Sequence, residues 1–190
     1  MFSSDTGPDF SALMGYDVLY FSAISLAILH APTRQAFIDW LPVYKQQTGG
    51  RIAFDSNYRP RLWESAAQAQ TDISAVWQIT DIGLPSVDDE MDLFEDVSEE
   101  AAMARLKGYG LSQGALKCGS GGPRSLAEST IVQTYAPAPK VVDSTAAGDS
   151  FNGGYLSAFL RGGSQAEALL AGHNCAREVV QHKGAIIPIS

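Results

Sequence analysis

A short segment near the C-terminus, from Val142 to Gly154, carries residue types that bind an anion and move a proton. Ala146, Ala147 and Gly148 have little or no side chain, and a helical pattern begins directly after them. The unpaired N–H groups and the dipole of a helix N-terminus favour a phosphate in such a position. Asp149 lies beside it, where a carboxylate makes sense if it accepts the proton of an attacking hydroxyl. The alternative is a helix start whose small residues only permit close packing.

This segment, with Ser144 in place of the more common Thr, resembles the signature D-T-x-A/G-A-G-D-x-F of the ribokinase-like (PfkB) carbohydrate kinases. The resemblance implies that Asp149 is the catalytic base. The amides that would form the anion hole belong to Ala146, Ala147 and Gly148. The resemblance also implies an enzyme that uses ATP and Mg²⁺ to phosphorylate an alcohol group. The expected fold is the α/β, three-layer ribokinase-like fold with a largely parallel sheet.

A second polar segment, from Asp55 to Trp63, follows a predicted strand. It resembles the D-x-N-x-R-x-x-L-W segment of the 2-keto-3-deoxygluconate kinases within the PfkB family. The resemblance implies that Arg59 contacts the carboxylate of a sugar acid, with Asn57 and Tyr58 beside it in the substrate site. A guanidinium suits that task because it binds a carboxylate through two parallel hydrogen bonds. The alternative is an arginine that pairs with a surface acid.

Two further segments extend the resemblance to the sugar pocket and to the nucleotide. The run from Tyr20 to Leu29 resembles the strand-to-helix segment of these kinases, which implies that Ile24 lines the sugar pocket. Lys117, Gly119 and Gly122 match the K/T-x-G-x-x-G nucleotide loop of the family. Glycines in such a loop allow the backbone to approach phosphates closely.

Single residues account for the remaining nucleotide and metal candidates. His173 falls where family members often place a His or Asn beside the adenine, and the alternative is a histidine on a helix surface. The segment from Leu84 to Glu90 lies at the position of the N-x-x-E motif, which is linked to magnesium and phosphate. Ser86 replaces the Asn and Asp89 replaces the Glu, and Asp89 and Glu90 would reach hydrated magnesium through water. An acidic first turn of a surface helix explains the same residues nearly as well.

A monovalent cation such as K⁺ is a further expectation from the resemblance. In relatives, the residues at the positions of Asp143 and Thr145 often bind one together with nearby carbonyl groups. The oxygen ligands that these residues offer fit a hard cation.

Strand and helix patterns alternate along the chain and predict an α/β protein. The predicted strands cover residues 17–22, 51–55, 79–84, 115–118 and 130–135. The predicted helices cover residues 33–47, 65–77, 98–108, 149–160 and 164–182, with Thr33, Ser98 and Ser164 as N-caps. Because ligands collect at the carboxyl ends of parallel strands, most of the motifs are expected to meet at one edge of the sheet.

Length, charge and cysteine content narrow the class of protein. We interpret residues 1–190 as a single partial nucleotide-binding domain, since this length supports a sizeable core. The net charge is −8 and no Lys/Arg cluster exceeds a few residues, which argues against a nucleic-acid partner. The apolar run from Val18 to Leu29 is too short to span a bilayer, so no membrane association is expected. Cys118 and Cys175 suggest no disulfide framework and favour a reducing, cytoplasmic setting.

The resemblance covers essentially the whole chain but only the C-terminal portion of a PfkB kinase. Members of the family begin with more strands, an early G-G-x-x-x-N sugar-binding motif and a lid, and we expect these to be missing before Phe10. A lid excludes water and completes a site, so impaired activity of the chain by itself is expected. A homo-oligomer is one option, but in relatives the missing region often builds the dimer interface.

The pattern as a whole predicts ATP-dependent phosphorylation of a sugar acid, 2-keto-3-deoxygluconate in the first place. A PfkB kinase for another sugar or a nucleoside is the nearest alternative, and the loop from Asn57 to Arg59 argues against it. The triplet from Gly148 to Ser150 also resembles the G-D-S nucleophile motif of an esterase family. Those enzymes need a late D-x-x-H, which the sequence does not contain. A non-catalytic nucleotide-binding module is the third alternative.

Overall fold

The structure, a computed structural model, describes residues 8–127 and 133–187. The chain divides into two units, Met1–Gln113 and Gly114–Ser190. Strands and helices alternate along the first unit, and the secondary structure is α/β as the sequence predicts. The interpretation of residues 1–190 as one domain stays a prediction.

The first unit is built on a three-stranded parallel sheet in the order β1-β2-β3. Its strands are β1 (Val18–Ser22), β2 (Arg51–Asp55) and β3 (Ile82–Gly83). Four of the five β2 residues are buried, because helices cover a parallel sheet and its central strand faces no solvent. The parallel sheet expected from the alternating pattern is therefore present in this unit.

The described helices of the first unit connect its strands and follow them. They are α1 (Ala23–Ala27), α2 (Ala31–Thr48), α3 (Ala66–Trp77), α4 (Val87–Phe94) and α5 (Glu99–Gly108). The side chains of Ser65 and Ser98 cap α3 and α5 by accepting a backbone N–H bond from the first turn. Thr33 is not the N-cap of α2, contrary to the prediction. The helix already begins at Ala31. Pro32 has no N–H group, but it fits the first turn because the backbone N–H groups there have no partner within the helix.

A buried arginine joins α2, α3 and the loop that precedes α3. The Arg34 guanidinium donates to Asp72 on α3 (Nε to Oδ2, 2.8 Å) and to Glu64 in the loop (Nη2 to Oε2, 2.9 Å). It also lies 4.8 Å from the ring centre of Trp63. A buried charge is tolerated when it is paired and hydrogen-bonded in this way. Arg34 thereby holds the end of the polar segment that runs from Asp55 to Trp63.

The second unit contains a two-stranded antiparallel sheet of β4 (Ala115–Lys117) and β5 (Pro123–Ser125). A tight turn over Gly119–Gly121 joins the strands, and so short a connection fits only a hairpin, since a parallel pair needs about a dozen residues or more. The strand β5 was absent from the sequence prediction. Of the strand predicted over residues 130–135, residues 130–132 lie outside the described residues and 133–135 have no regular structure.

Two helices of the second unit, α6 (Ala147–Leu160) and α7 (Gln165–Val179), pack closely against each other. Glycines allow the close approach. A Cβ on Gly154 would lie 2.7 Å from the carbonyl oxygen of Ala171, and one on Gly172 would lie 2.9 Å from the ring of Phe151. Helix α6 begins two residues earlier than predicted, and α7 ends three residues earlier, before the predicted end at His182.

A polar network joins both helices of the second unit to its hairpin. The hydroxyl of Tyr155, fully buried on α6, donates to Gln165 Oε1 at the start of α7. The Gln165 amide in turn donates to the Gly114 carbonyl (2.7 Å) and to Ser125 Oγ (3.1 Å). Burial raises the pKa of Tyr155 to about 12, so the phenol stays a neutral donor. These bonds hold both helices against the open end of the hairpin, where Ala115 pairs with Ser125, while Lys117 lies at the other end, next to the turn.

Candidate active site

The carboxyl ends of β1, β2 and β3 lie at one edge of the sheet in the first unit, and predicted site residues follow each strand. Ile24 is half-buried in α1, directly after β1. Asn57, Tyr58 and Arg59 follow β2, and Ser86 precedes the first residue of α4 after β3. Within this unit, the prediction that these motifs gather at one sheet edge is confirmed.

The loop after β2 is tied to the loop after β3 by a hydrogen bond. Ser56, which is almost fully buried, accepts this bond from the backbone N–H of Ser86 at 2.9 Å. The next residue, Asn57, donates its N–H to Asp55 Oδ1 at 3.3 Å and has a φ of 24°. A positive φ is costly for a residue other than glycine and persists only where the surroundings impose it. The beginning of this motif is therefore a strained turn that leads directly into Arg59.

Arg59 pairs with Asp89, so the structure brings two of the predicted site residues together. Arg59 Nη1 donates to Asp89 Oδ1 at 3.2 Å and to the carbonyl oxygen of Tyr58 at 2.6 Å. Both bonds use Nη1, which leaves the Nε–Nη2 edge of the guanidinium for a two-bond contact with a carboxylate. Tyr58 is buried, with 6% of its surface exposed, and burial raises the pKa of its phenol. Its carbonyl group anchors Arg59, and a contact of its side chain with the substrate stays a prediction.

Glu90 is buried against an arginine, and its position does not fit the expected contact with hydrated magnesium. Its carboxylate is 1% exposed and accepts a bond from Arg105 Nη2 at 2.9 Å. Arg105 also pairs with Asp96 and stacks 3.7 Å from the ring centre of Phe94. Burial raises the pKa of Glu90 to about 7, although the charge of Arg105 acts in the opposite direction. Glu90 therefore joins α4 to α5 instead of facing a ligand.

The start of α6 has the small-residue turn that the sequence predicts, with one difference in its amides. Ala146, the N-cap, is left-handed with a φ of 61°. The N–H of Ala147 donates to the carbonyl oxygen of Ser144 at 3.1 Å, so it is not a free anion-hole donor. The amides of Gly148 and Asp149 are the better donors, because a helix supplies no acceptor for its first turn. The Asp149 side chain is exposed in the same turn.

A lysine at the end of β4 lies beside this turn. Lys117 Nζ donates to Asn152 Oδ1 at 3.1 Å. The same Nζ would lie 3.7 Å from a Cβ placed on Gly148. The first-turn amides, the helix dipole and the ammonium group therefore all favour negative charge at the start of α6. Lys117 thus lies where the sequence predicts a phosphate contact, next to the helix turn that carries Asp149.

Gly122 and His173 meet through Tyr135. Gly122 has a φ of 82°, and a Cβ on it would lie 2.7 Å from the Tyr135 ring. The Tyr135 ring centre is 5.0 Å from that of His173, whose Nε2 bonds to the carbonyl oxygen of Ala136 at 2.8 Å. His173 is therefore neither isolated nor fully exposed, and it holds the segment that contains Tyr135. Gly119, also with a positive φ of 53°, begins the turn that precedes Gly122.

Asp143 is held by backbone N–H groups on both of its carboxylate oxygens. Oδ1 accepts from Thr145 and Oδ2 accepts from Gly184, each at 2.9 Å. These hydrogen bonds lower the pKa of Asp143 to about 2, and those from Thr145 contribute more than the one from Gly184. A carboxylate has lone pairs beyond these two, so the bonds shape the turn without using all of its acceptor capacity. Asp143 and Thr145 lie together as expected, and their role toward a monovalent cation stays a prediction.

The sequence reasoning missed Asn152 and Tyr135, which contact predicted site residues. Asn152 lies on the inward face of α6, where a polar residue among aromatic ones was the available signal. Tyr135 fell within a predicted strand and gave no separate signal. Among residues 8–127 and 133–187, no group of three or more His, Cys, Asp or Glu side chains is placed to hold a metal. In the same part of the chain, every helix is too short or too polar to cross a membrane.

Comparison with known proteins gives consistent matches. The family model for pfkB family carbohydrate kinases matches residues 7–190. The 2-dehydro-3-deoxygluconokinases of Escherichia coli K12 and Dickeya dadantii are 40% and 39% identical over 180 and 181 residues. Each of these alignments covers 93% of this chain and 58% of the relative, so the chain spans a little over half of each relative's length. 2-Dehydro-3-deoxygluconate is another name for 2-keto-3-deoxygluconate.

A solved structure shows the same fold. Aminoimidazole riboside kinase from Salmonella enterica, complexed with aminoimidazole riboside and an ATP analogue, has a TM-score of 0.78 and 27% identity. The match covers 90% of this chain and 58% of that chain. The PfkB protein from Polaromonas sp. JS666 gives a TM-score of 0.77 at 25% identity. The expected ribokinase-like α/β fold is thus confirmed.

Proposed function

The chain belongs to the pfkB family of carbohydrate kinases, and from this premise we propose that it carries the phosphoryl-transfer site of an ATP-dependent 2-keto-3-deoxygluconate kinase. The observation that supports this most is the start of α6. First-turn amides, the Lys117 ammonium and the exposed carboxylate of Asp149 surround one turn of helix. Such a turn binds a phosphoryl group and accepts a proton within the same small volume.

In the proposed reaction, Asp149 takes the proton of the substrate hydroxyl. The hydroxyl oxygen forms a bond to the γ-phosphorus of ATP while the bond from that phosphorus to the β–γ bridging oxygen breaks, and ADP leaves. The amides of Gly148 and Asp149 and the ammonium of Lys117 stabilise the charge on the transferring group. No covalent enzyme intermediate is needed, because positioning and electrostatics carry phosphoryl transfer.

Arg59 would bind the carboxylate of the sugar acid. Asp89 and the Tyr58 carbonyl anchor Nη1 of Arg59, and the opposite edge of the guanidinium remains suited to two parallel bonds. Neutral sugars lack the group that would use this edge, so the proposal favours an acid as the substrate. The names of the relatives in Escherichia coli and Dickeya dadantii support the same substrate.

Magnesium and a monovalent cation are part of the same proposal. Asp89 is already paired with Arg59, so its magnesium contact would run through a water, which Mg²⁺ readily keeps. Asp143, Thr145 and nearby carbonyl groups would hold the monovalent cation. His173 and Tyr135 would border the adenine, and Gly119 and Gly122 the phosphate chain. The cytoplasm is the proposed setting, which fits the free thiols of Cys118 and Cys175.

A non-catalytic nucleotide-binding module is the second candidate, because the chain spans only 58% of its curated relatives. The two candidates share the nucleotide contacts of the second unit and differ in turnover. They are separated by activity and not by nucleotide binding.

ADP release by the purified chain with Mg-ATP tests the proposal, with and without 2-keto-3-deoxygluconate. The kinase proposal predicts release that depends on the sugar acid, is low with ribose, and is lost in Asp149→Ala. Nucleotide binding without any sugar-dependent release would favour the second candidate. Release that is unchanged in Asp149→Ala would contradict the role of the carboxylate.

A further inference from the structure

Asn152 has a place in the second unit that packing alone does not explain. It is 1% exposed on the inward face of α6, next to the buried residues Phe151 and Tyr155. An apolar side chain of similar size would fill the same space without the cost of burying an amide. The amide oxygen is used, however, because it accepts the hydrogen bond from Lys117 Nζ at 3.1 Å.

The Lys117 ammonium lies at an end of α6 where the helix dipole opposes a cation. Its Nζ lies beside Gly148 in the first turn of α6, where the helix dipole and the unbonded amides are already positive. Cations stabilise helix C-termini and are disfavoured at N-termini. The Asp149 carboxylate in the same turn offsets part of this field, and the Asn152 amide oxygen supplies a directional acceptor that fixes where the ammonium lies.

The helical spacing explains why this residue can do so. Gly148 and Asn152 are four residues apart and lie on the same face of α6, one turn above the other. Asn152 therefore reaches the ammonium from the turn that follows the proposed anion site. Lys117 comes from the end of β4, so the contact also joins the hairpin to α6.

We propose that Asn152 is a positioning residue that holds the Lys117 ammonium over the first turn of α6, where it meets the phosphate oxygens of the nucleotide. This inference rests on the proposed function, since it assigns Lys117 to the phosphates. Asn152 itself touches the lysine and not the nucleotide. Its effect should therefore appear with phosphate-bearing ligands and be absent with the nucleoside.

The test is a double-mutant cycle on ligand binding by the full chain. Asn152→Leu keeps the volume and removes the acceptor, and Lys117→Met removes the ammonium. Dissociation constants of Mg-ADP and of adenosine are measured by calorimetry for the wild type, both single variants and the double variant. Lys107→Met, which removes an exposed lysine on α5 in the first unit, serves as the charge-matched control.

Asn152→Leu is expected to raise the dissociation constant of Mg-ADP about tenfold. A hydrogen bond to a charged group contributes at least the free energy that corresponds to this change. Adenosine binding should change less than about twofold, and the double variant should be no weaker than Lys117→Met because both changes remove one interaction. Lys107→Met should bind Mg-ADP as the wild type does.

Three results would overturn the inference. The first is a folded Asn152→Leu chain that binds Mg-ADP as tightly as the wild type. The second is a double variant whose loss is the sum of the single losses, and the third is an equal loss for adenosine; either of these would indicate a general packing effect. If Asn152→Leu lacks a cooperative unfolding transition, Asn152→Ser takes its place in the cycle with the same criteria. A wild-type chain that binds neither ligand would instead contradict the proposed function.

Discussion

Backbone strain marks the candidate site at the scale of single residues. Asn57, Glu95 and Ala146 are the residues other than glycine with positive φ among those the structure describes. Asn57 lies directly before Tyr58 in the loop that carries Arg59, and Ala146 lies directly before α6. Such conformations cost on the order of 1–3 kcal/mol and are retained where function needs them. The third, Glu95, simply ends α4.

The chemistry-bearing side chains were more predictable than their contacts. Asp149 and Arg59 stood out because the segments that carry them resemble motifs of the PfkB kinases. Asp149 begins a predicted helix, and Arg59 follows a predicted strand. The pairing of Arg59 with Asp89 was not predictable, because it joins the loop after β2 to the helix after β3. The Asn152–Lys117 bond was missed for the same reason: it spans 35 residues of sequence.

Arg59→Lys should weaken sugar-acid recognition specifically. A lysine keeps the charge but cannot form two parallel bonds with a carboxylate, so KM for 2-keto-3-deoxygluconate should rise about 10- to 100-fold. The value of kcat should change little, because the contact lies away from the transferred phosphoryl group. Steady-state ADP release measures both parameters. Arg61→Lys, an exposed arginine in the following turn, is the control, and an equal rise in KM for it would count against the assignment.

Glu90 should make the stability of the fold depend on pH. Its pKa is raised by burial from 4.5 to about 7, so the folded chain binds more protons than the unfolded chain between these values. The stabilising contribution of the neutral acid is present in full below pH 4.5 and is lost as pH rises through about 7. The free energy of unfolding should therefore fall by about 3 kcal/mol across this window.

Glu90→Gln removes this titration. The free energy of unfolding of this variant should not fall across the window. The difference between variant and wild type should therefore shift by about 3 kcal/mol in favour of the variant from the acid end to the neutral end. Urea denaturation at a series of pH values measures the difference. Glu100→Gln, an exposed acid in the first turn of α5, should leave the wild-type slope in place. Parallel curves for wild type and Glu90→Gln would show that Glu90 does not titrate in this range.

At the scale of secondary-structure elements, the sequence predicted correctly those strands and helix caps that neighbouring residues determine. The strand over residues 51–55 and the caps at Ser98 and Ser164 appear as predicted, since each depends on neighbouring residues. The hairpin of β4 and β5 was missed because its second strand begins with Pro123 and is only three residues long. The alternating pattern also gave no hint that this pair is antiparallel.

The contact between α6 and α7 yields a prediction with a control in the same helix. Gly154→Ala would place a Cβ 2.7 Å from the Ala171 carbonyl oxygen and should destabilise the fold by about 1–3 kcal/mol. Gly153→Ala, with nothing within 4 Å, should stabilise α6 by roughly 0.5–1 kcal/mol. Urea midpoints of the two variants measure the contrast. Equal shifts would mean that the helices do not approach closely at Gly154.

For the whole molecule, the predicted sites divide between the two units. Ile24 and the loop that carries Arg59, which form the sugar-acid part of the proposal, belong to the first unit, and so does Asp89, which is proposed for magnesium. The α6 turn, Lys117 and His173 belong to the second, which corresponds to the nucleotide part. Because Arg59 and Lys117 are assigned to different ligands, we expect their variants to affect the binding of different ligands.

The role of Asp149 is the central claim, and single-turnover transfer from [γ-³²P]ATP to 2-keto-3-deoxygluconate tests it most directly. Asp149→Asn keeps the size of the side chain and the amides of α6 but removes the proton acceptor. We predict that this variant binds Mg-ATP within about threefold of the wild type, while labelled sugar phosphate forms 10²- to 10⁴-fold more slowly, as expected for a lost general base. Transfer within about tenfold of the wild-type rate would contradict the account.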